Sequence, residues 1–303
     1  TSGSTGTPKP MQVEKKRMEA SARLTCSFLG LKEGDSALLC MPLQYIAGKM
    51  VVVRSLVAGL RLIPMAPSGH PLKDLKEAPT FAAMIPMQVY NTLQVPEEKA
   101  ILMEIKHLII GGGAIDDTLA NELKDFPNQV WSTYGMTETL SHIALRKLNG
   151  TDTSDWYTPF DNVRIRLSEE GTLIIHAPNV CAEELITNDI AEINEEGKFR
   201  ILGRKDNTIN SGGVKIQIEQ VESRLKKHLA TPFLISAQKD AKFGEIVVLI
   251  YNKVGNETNI RQVCEDTLPT YWLPKVYIPV DELPMTGTGK PDRASARRIA
   301  NGE

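Results

Sequence analysis

The stretch that most constrains this chain is His107-Leu-Ile-Ile110. It runs straight into Gly111-Gly-Gly113, and Asp116 then stands where it can cap a helical segment containing Leu119 and Leu123. Strand, glycine turn and helix in that order make the βα unit of a parallel sheet. Two further apolar runs of strand length, Ser36 to Met41 and Phe81 to Ile85, end at Pro42 and Pro86. Together they predict an α/β fold with a parallel sheet in the large N-terminal part. Ligand sites in such sheets lie at the carboxyl ends of the strands.

The pattern changes near Trp156. Short alternating stretches, Val163 to Leu167 and Thr172 to Ile175, are punctuated by Glu170-Gly171 and Glu196-Gly197. This predicts a small antiparallel β subdomain over 156–205. From Asp206 onward a helix with Ile218, Val221 and Leu225 on one face precedes the apolar strand Ile246 to Tyr251, and a second helix follows from Asn259 to about Thr267. The reading is therefore a core over 1–205 and a small α+β C-terminal domain over 206–303. The chain opens at Thr1, inside a glycine-rich loop with no strand ahead of it, so the core is expected to be incomplete at its N-terminus.

Composition narrows the function classes. With 42% hydrophobic and 24% charged residues, the 303-residue chain can bury a sizeable core and is not disordered. A net charge of −2, with Lys and Arg dispersed, gives no field to attract nucleic acid or a membrane surface. Cys26, Cys40, Cys181 and Cys264 lack metal or redox spacing and read as thiols of a reducing, cytoplasmic compartment.

Four segments carry candidate chemistry. In Thr1-Ser2-Gly3-Ser4-Thr5-Gly6-Thr7-Pro8-Lys9 the glycines admit close backbone approach to a phosphate, the hydroxyls add donors and Lys9 adds charge. The same composition also serves a flexible linker. Tyr134-Gly135-Met136-Thr137-Glu138-Thr139 isolates one carboxylate between threonines, which suits a Mg²⁺ bridged to phosphate or a plain exposed loop. Gly203-Arg-Lys-Asp206 with Gly212-Gly213 offers a forked donor and a tight turn, or a solvated charged turn. Pro284-Met-Thr-Gly-Thr-Gly-Lys290 presents one lysine on a glycine loop, although most lysines are surface charges.

In this order the four segments resemble the adenylate-forming superfamily of acyl-CoA synthetases, nonribosomal-peptide adenylation domains and luciferases. Pro42-Leu-Gln-Tyr-Ile-Ala-Gly48 is similar to its acyl-pocket segment, Gly111-Gly-Gly-Ala114 to its adenine-side loop, and Leu268-Pro-Thr-Tyr-Trp-Leu-Pro274 to its Leu-Pro-x-Tyr segment. The resemblance spans residue 1 to about 293. Pro10, Tyr45 and Asn188 depart from the residues most members carry there.

The resemblance implies an ATP-dependent acid–thiol ligase using Mg²⁺ and coenzyme A, which makes an acyl-adenylate and then a thioester. It places Lys290 between the acyl carboxylate and the α-phosphate, Thr137 near that phosphate and Glu138 on Mg²⁺. Thr1, Ser2, Gly3, Ser4, Thr5, Gly6 and Lys9 would hold the outer phosphates. Gly112, Gly113, Ala114, Tyr134 and Gly135 would line the nucleotide site. Asp189 would bind the ribose hydroxyls beside Arg204, and Gly212 and Gly213 would pass the pantetheine arm. Asp206 would be the hinge of a mobile C-terminal domain, and Tyr45, Gly48 and His142 would face the acid.

Within the superfamily, Pro42 to Lys49 and Tyr134 to Arg146 look most like o-succinylbenzoate–CoA ligases of menaquinone synthesis. A dicarboxylate would want a deep cation or donor, for which Lys49, Arg54, His142 and Arg146 are candidates. Rival readings are a synthetase for another acyl or aryl acid, an adenylation enzyme loading a carrier protein, a nucleotide-binding regulator, and an inactive fragment of an active enzyme. Lys290, Glu138 and Asp189 argue against the regulator. A homodimer is left open.

Overall fold

The structure, a computed structural model, describes residues 11–113, 115, 117–286 and 291–303. The chain divides into two compact units. One comprises Thr1–Ser168, Leu173–Thr187 and Ile193–Arg200, and the other Glu169–Thr172, Asn188–Glu192 and Ile201–Glu303.

The first unit opens with helix α1 (Lys15–Leu29), strand β1 (Ser36–Leu39), helix α2 (Ile46–Ala58) and strand β2 (Arg61–Pro64). Strand β3 (Phe81–Met84), helices α3 (Pro86–Leu93) and α4 (Pro96–Glu104), strand β4 (His107–Ile110) and helix α5 (Asp117–Leu123) follow. Strands β5 (Gln129–Gly135), β6 (His142–Lys147) and β7 (Thr158–Pro159) complete a seven-stranded sheet of order β2-β1-β3-β4-β5-β6-β7. The pairs from β2 to β5 are parallel, and β6 and β7 turn antiparallel. The expected α/β sheet is thus present, with its apolar runs at β1, β3 and β4.

Every residue of β1 and β3 is buried, as strands covered on both faces require. Leu38, Ala82, Met84, Leu108 and Ile110 face α3, α4 and α5 through Val89, Leu93, Leu102, Leu119 and Leu123. The alternate residues Ala37, Leu39, Phe81, Ala83 and Ile109 face α1 and α2 through Cys26, Leu29 and Val51. Proline opens α3 and α4, where its missing N–H costs no hydrogen bond.

Strands β8 (Arg164–Leu167), β9 (Thr172–His176), β10 (Leu185–Ile193) and β11 (Phe199–Arg204) form the smaller sheet, in order β11-β10-β9-β8. After a 3₁₀ turn at Lys205–Asn207, the second unit builds β12 (Thr208–Ser211), β13 (Val214–Gln217), α6 (Ile218–Lys226), β14 (Phe233–Asp240), β15 (Gly244–Asn252), α7 (Glu257–Thr267), β16 (Val276–Val280) and α8 (Arg293–Ala300). Ile235, Val247 and Leu249 pack on Val221, Leu225, Ile260 and Cys264 of α6 and α7. On the other face Leu234, Val248 and Ile250 pack on Ala296 and Ala300 of α8.

Candidate active site

In the first unit, β3, β4 and β5 are parallel, so their carboxyl ends and the turns that follow lie along one edge of the sheet. Gly111 donates its N–H to the Met84 carbonyl (3.0 Å), and Gly112 and Gly113 lie against Ile85 and Pro86 at the β3–α3 turn. Ala114 and Asp116 of this segment lie outside the described residues, as do Thr1 to Pro10 and Gly287 to Lys290.

Between β5 and β6 the ladder slips at Tyr134 and Gly135, a register irregularity of the kind that re-aims side chains at sheet ends. The following loop is tightly wound. Thr139 Oγ1 accepts the Met136 N–H at 3.0 Å and donates to the Ser141 carbonyl at 2.7 Å. Leu140 sits at φ 64°, a left-handed conformation that a branched side chain adopts only under constraint. This loop presents Thr137 half-buried and Glu138 exposed. Among the described residues Glu138 has no hydrogen-bonding or ionic partner, so its carboxylate is available to a cation. The Tyr134 ring packs edge-on against Phe199 (5.0 Å) and near Tyr157 (5.8 Å), whose hydroxyl lies 2.8 Å from Ser132 Oγ.

The pocket-like segment 42–48 opens α2. Tyr45 is its N-cap and stays exposed, and Gly48 lies so near the Pro42 carbonyl that a Cβ would stand 2.6 Å from it. Arg54 lies further along α2, one turn after the buried Met50 and on the same face as it. It is 2% exposed and donates one hydrogen bond, from Nη2 to Ser141 Oγ at 2.5 Å. Its Nε is buried without a partner, and no carboxylate among the described residues pairs with it. Burial lowers its pKa to about 10, with the neighbouring Cys26 thiol acting the other way.

The other three candidate cations stand differently. Lys49 is exposed, and Arg146 is engaged by Asp155 (3.2 Å) and the Tyr157 ring. His142 is buried with both ring nitrogens occupied: Nδ1 lies 3.2 Å from Ser141 Oγ and Nε2 lies 3.0 Å from Thr25 Oγ1. Burial, and then the Arg54 charge, hold its pKa well below the usual imidazole value. Ser141 and Thr25 were not legible as site residues, because a serine after a loop and a threonine within a helix carry no distinguishing spacing.

In the second unit, Asp189 of β10 and Arg204 of β11 are joined at 3.3 Å, and Arg204 reaches Asp206 at 2.7 Å. Asn188 also donates to Asp206, at 3.4 Å. Burial opposes the Arg204 charge, but the bond to Asp206 and the attraction of Asp189, Asp206 and Glu219 outweigh it, leaving the guanidinium pKa above its ordinary value. Gly212 and Gly213 form the two-residue turn between β12 and β13, at φ 57° and 84°. Such a hairpin turn asks for glycine in its own right.

Residues 1–185 match the family model described as AMP-binding enzyme, and the chain belongs to that family. It is an AMP-forming ligase. Among curated proteins, it is 27% identical over 331 aligned positions to a 2-succinylbenzoate–CoA ligase of Bacillus cereus (strain AH820), covering 99% of this chain and 69% of that protein. Among solved structures, an acyl-CoA synthetase (AMP-forming)/AMP-acid ligase II-like protein from Dyadobacter fermentans shares 33% identity at a TM-score of 0.66, covering 97% of this chain and 87% of that one. The o-succinylbenzoate CoA synthetase of Bacillus subtilis, in complex with its acyl-adenylate intermediate, shares the fold at a TM-score of 0.81 and 24% identity, over 98% of this chain and 67% of that one. Among the described residues no helix is long and apolar enough to cross a membrane.

Proposed function

We propose that this chain is an ATP-dependent acid–CoA ligase whose acid carries a second carboxylate, with o-succinylbenzoate as substrate. The observation that carries the reading is Arg54. A cation buried to this degree ordinarily has a carboxylate beside it, because an uncompensated charge costs several kcal/mol (on the order of the effective penalty for a buried ion). Arg54 has one serine hydroxyl and an unpartnered Nε. An acid bringing its own carboxylate would complete that site with a forked, charge-assisted contact. The names of the relatives above support the same substrate.

In the first half-reaction an oxygen of the other substrate carboxylate attacks the α-phosphorus of ATP, and the bond to pyrophosphate breaks. Two anions must meet, so fixed positive charge and oriented donors supply most of the catalysis. Lys290 is assigned to the developing charge between carboxylate and α-phosphate, and Thr137 to that phosphate. The glycine, serine and threonine segment at 1–9 is assigned to the outer phosphates. The free, exposed carboxylate of Glu138 fits a Mg²⁺ that keeps most of its waters, and the ion would supply charge neutralisation at the phosphates. Asp189, oriented by Arg204, would accept from the ribose hydroxyls. In the second half-reaction the coenzyme A sulfur attacks the acyl carbon, the acyl C–O bond of the mixed carboxylic–phosphoric anhydride breaks, AMP leaves and the thiol proton passes to solvent. Asp206 is assigned as the pivot of the change between the two steps.

The test is pyrophosphate release with ATP and Mg²⁺ over o-succinylbenzoate, benzoate and a fatty acid, followed by thioester formation with CoA. The expected result is a preference for o-succinylbenzoate that Arg54→Met reduces by about 100-fold, the loss of a hydrogen bond to a charged group. Equal turnover of monocarboxylates, untouched by that substitution, would remove the dicarboxylate reading.

A further inference from the structure

The groups around Arg54 form a chain whose direction can be worked out. A guanidinium only donates, so Ser141 Oγ accepts from Arg54 Nη2 at 2.5 Å. The single Ser141 proton is then free for His142 Nδ1 at 3.2 Å. His142 must therefore carry its own proton on Nε2, which donates to Thr25 Oγ1 at 3.0 Å. The Thr25 proton goes one turn back along α1, to the Ser21 carbonyl at 3.3 Å.

In this sense every link is satisfied. With the other imidazole tautomer, Ser141 would accept twice and its proton would lose its partner, while Thr25 would have to choose between His142 and Ser21. A protonated imidazole would set a second cation near Arg54 in a buried place. Thr25 is 0% exposed and His142 7%, so water does not compete for these bonds. The far end of the chain is fixed as well, because Thr139 holds the Ser141 carbonyl at 2.7 Å.

Resting on the dicarboxylate reading of Arg54, we propose that His142 and Thr25 are positioning residues for the second carboxylate of the substrate. They keep Ser141 Oγ turned as an acceptor toward Arg54 Nη2, which fixes the roll of the guanidinium and leaves its remaining donors, the unpartnered Nε among them, for the ligand. His142 itself touches no substrate, since both its nitrogens are spent inside the protein. A planar fork recognises a carboxylate only when its plane is set, so a loosened guanidinium should bind the diacid less tightly without changing the chemical step.

The experiment measures kcat and KM for o-succinylbenzoate and KM for ATP in His142→Leu, Thr25→Val, Thr25→Ser and Arg54→Met, using the full chain. The expected result is a rise of about tenfold in the o-succinylbenzoate KM for His142→Leu and Thr25→Val, the loss of one buried hydrogen bond. Their kcat and ATP KM should be unchanged, and Thr25→Ser should retain parental values. Thr25→Val, nearly isosteric, carries the test if His142→Leu does not fold. If Arg54→Met depresses diacid use while Thr25→Val leaves its KM unchanged, the relay is overturned and the Arg54 reading stands. If Arg54→Met has no selective effect, both fall.

Discussion

The Glu222–Arg293 pair lets an energy be worked from geometry in the second unit. The Glu222 carboxylate on α6 is buried at 6% exposure and takes both terminal nitrogens of Arg293 at 2.7 Å each. It also accepts the Ile235 N–H of β14 at 2.9 Å, while Arg293 donates to the Ile235 carbonyl at 3.2 Å. One ion pair thus ties α6, β14 and the start of α8. Burial opposes the Arg293 charge, and the bond to Glu222 with the attraction of Glu222 and Glu219 overcomes it, so its pKa stands above the ordinary value. Glu222→Gln keeps an acceptor for Ile235 but strands the cation, at a cost of about 3 kcal/mol. Amide exchange across 233–251 should then quicken by about 100-fold, since each 1.4 kcal/mol is a factor of about ten. Arg293→Met combined with Glu222→Gln should cost less than the two singles added, because the stranded charge is gone. Exchange less than about tenfold faster in Glu222→Gln, or strict additivity in the double variant, would refute the reasoning.

Lys290→Ala should lower acyl-adenylate formation by about 100-fold or more while transfer from supplied acyl-adenylate to CoA persists; an equal loss in both half-reactions would exclude its assigned role. Asp206→Pro, compared with Asp206→Ala to subtract the lost bonds to Arg204 and Asn188, should spare adenylation and depress thioester formation, and an unchanged ratio of the two rates in a folded protein would remove Asp206 as pivot. His142 is held neutral when folded, so below its ordinary value of 6.5 only the unfolded chain takes up that proton. Stability should therefore fall with pH by about 1.4 kcal/mol per unit relative to His142→Gln, and parallel melting curves at about pH 7.5 and about pH 5.5 would contradict this.

What the sequence made legible follows from where burial is continuous. Strands β1, β3 and β4 are buried along most or all of their length, so they stand out as apolar runs bounded by proline or glycine. Helix α1 buries Ser21, Ala22, Thr25, Cys26 and Leu29; small and polar residues on the inner face leave no hydropathy period to read. Strand β2 is only part-buried at the sheet edge and gives an equally weak signal. The ordered motifs marked Asp189, Arg204 and the 134–139 loop without the fold. Arg54 could be named only as one cation among four, because what distinguishes it is that no acid among the described residues pairs with it. Thr25 and His142 are far apart in sequence, and a hydrogen bond between them follows from the packing of α1 beside the sheet.

The buried Arg54 and the half-buried Arg293 are a comparison within one molecule. Arg293 is paired to a carboxylate through two bonds and bonded to a backbone carbonyl, so its charge is compensated by the fold itself. Arg54 is the more deeply buried and has one neutral acceptor. A fold selected for stability alone would place a methionine or leucine at position 54, within a helix whose neighbours Met50 and Val51 are fully buried. Arg54→Met should accordingly leave the ligand-free protein as stable as the parent or raise its melting temperature by a few degrees, about 2–4 °C for each kcal/mol in a unit of this size. The substitution should also remove most of the increment that o-succinylbenzoate adds to the stability of the ATP-saturated parent, while leaving the increment due to ATP, because a ligand stabilises only through its differential affinity for the folded state. Differential scanning calorimetry with and without ligands measures both effects. If ligand-free Arg54→Met melts several degrees lower, Arg54 is a structural residue satisfied within the fold, and the second-carboxylate site must be sought elsewhere.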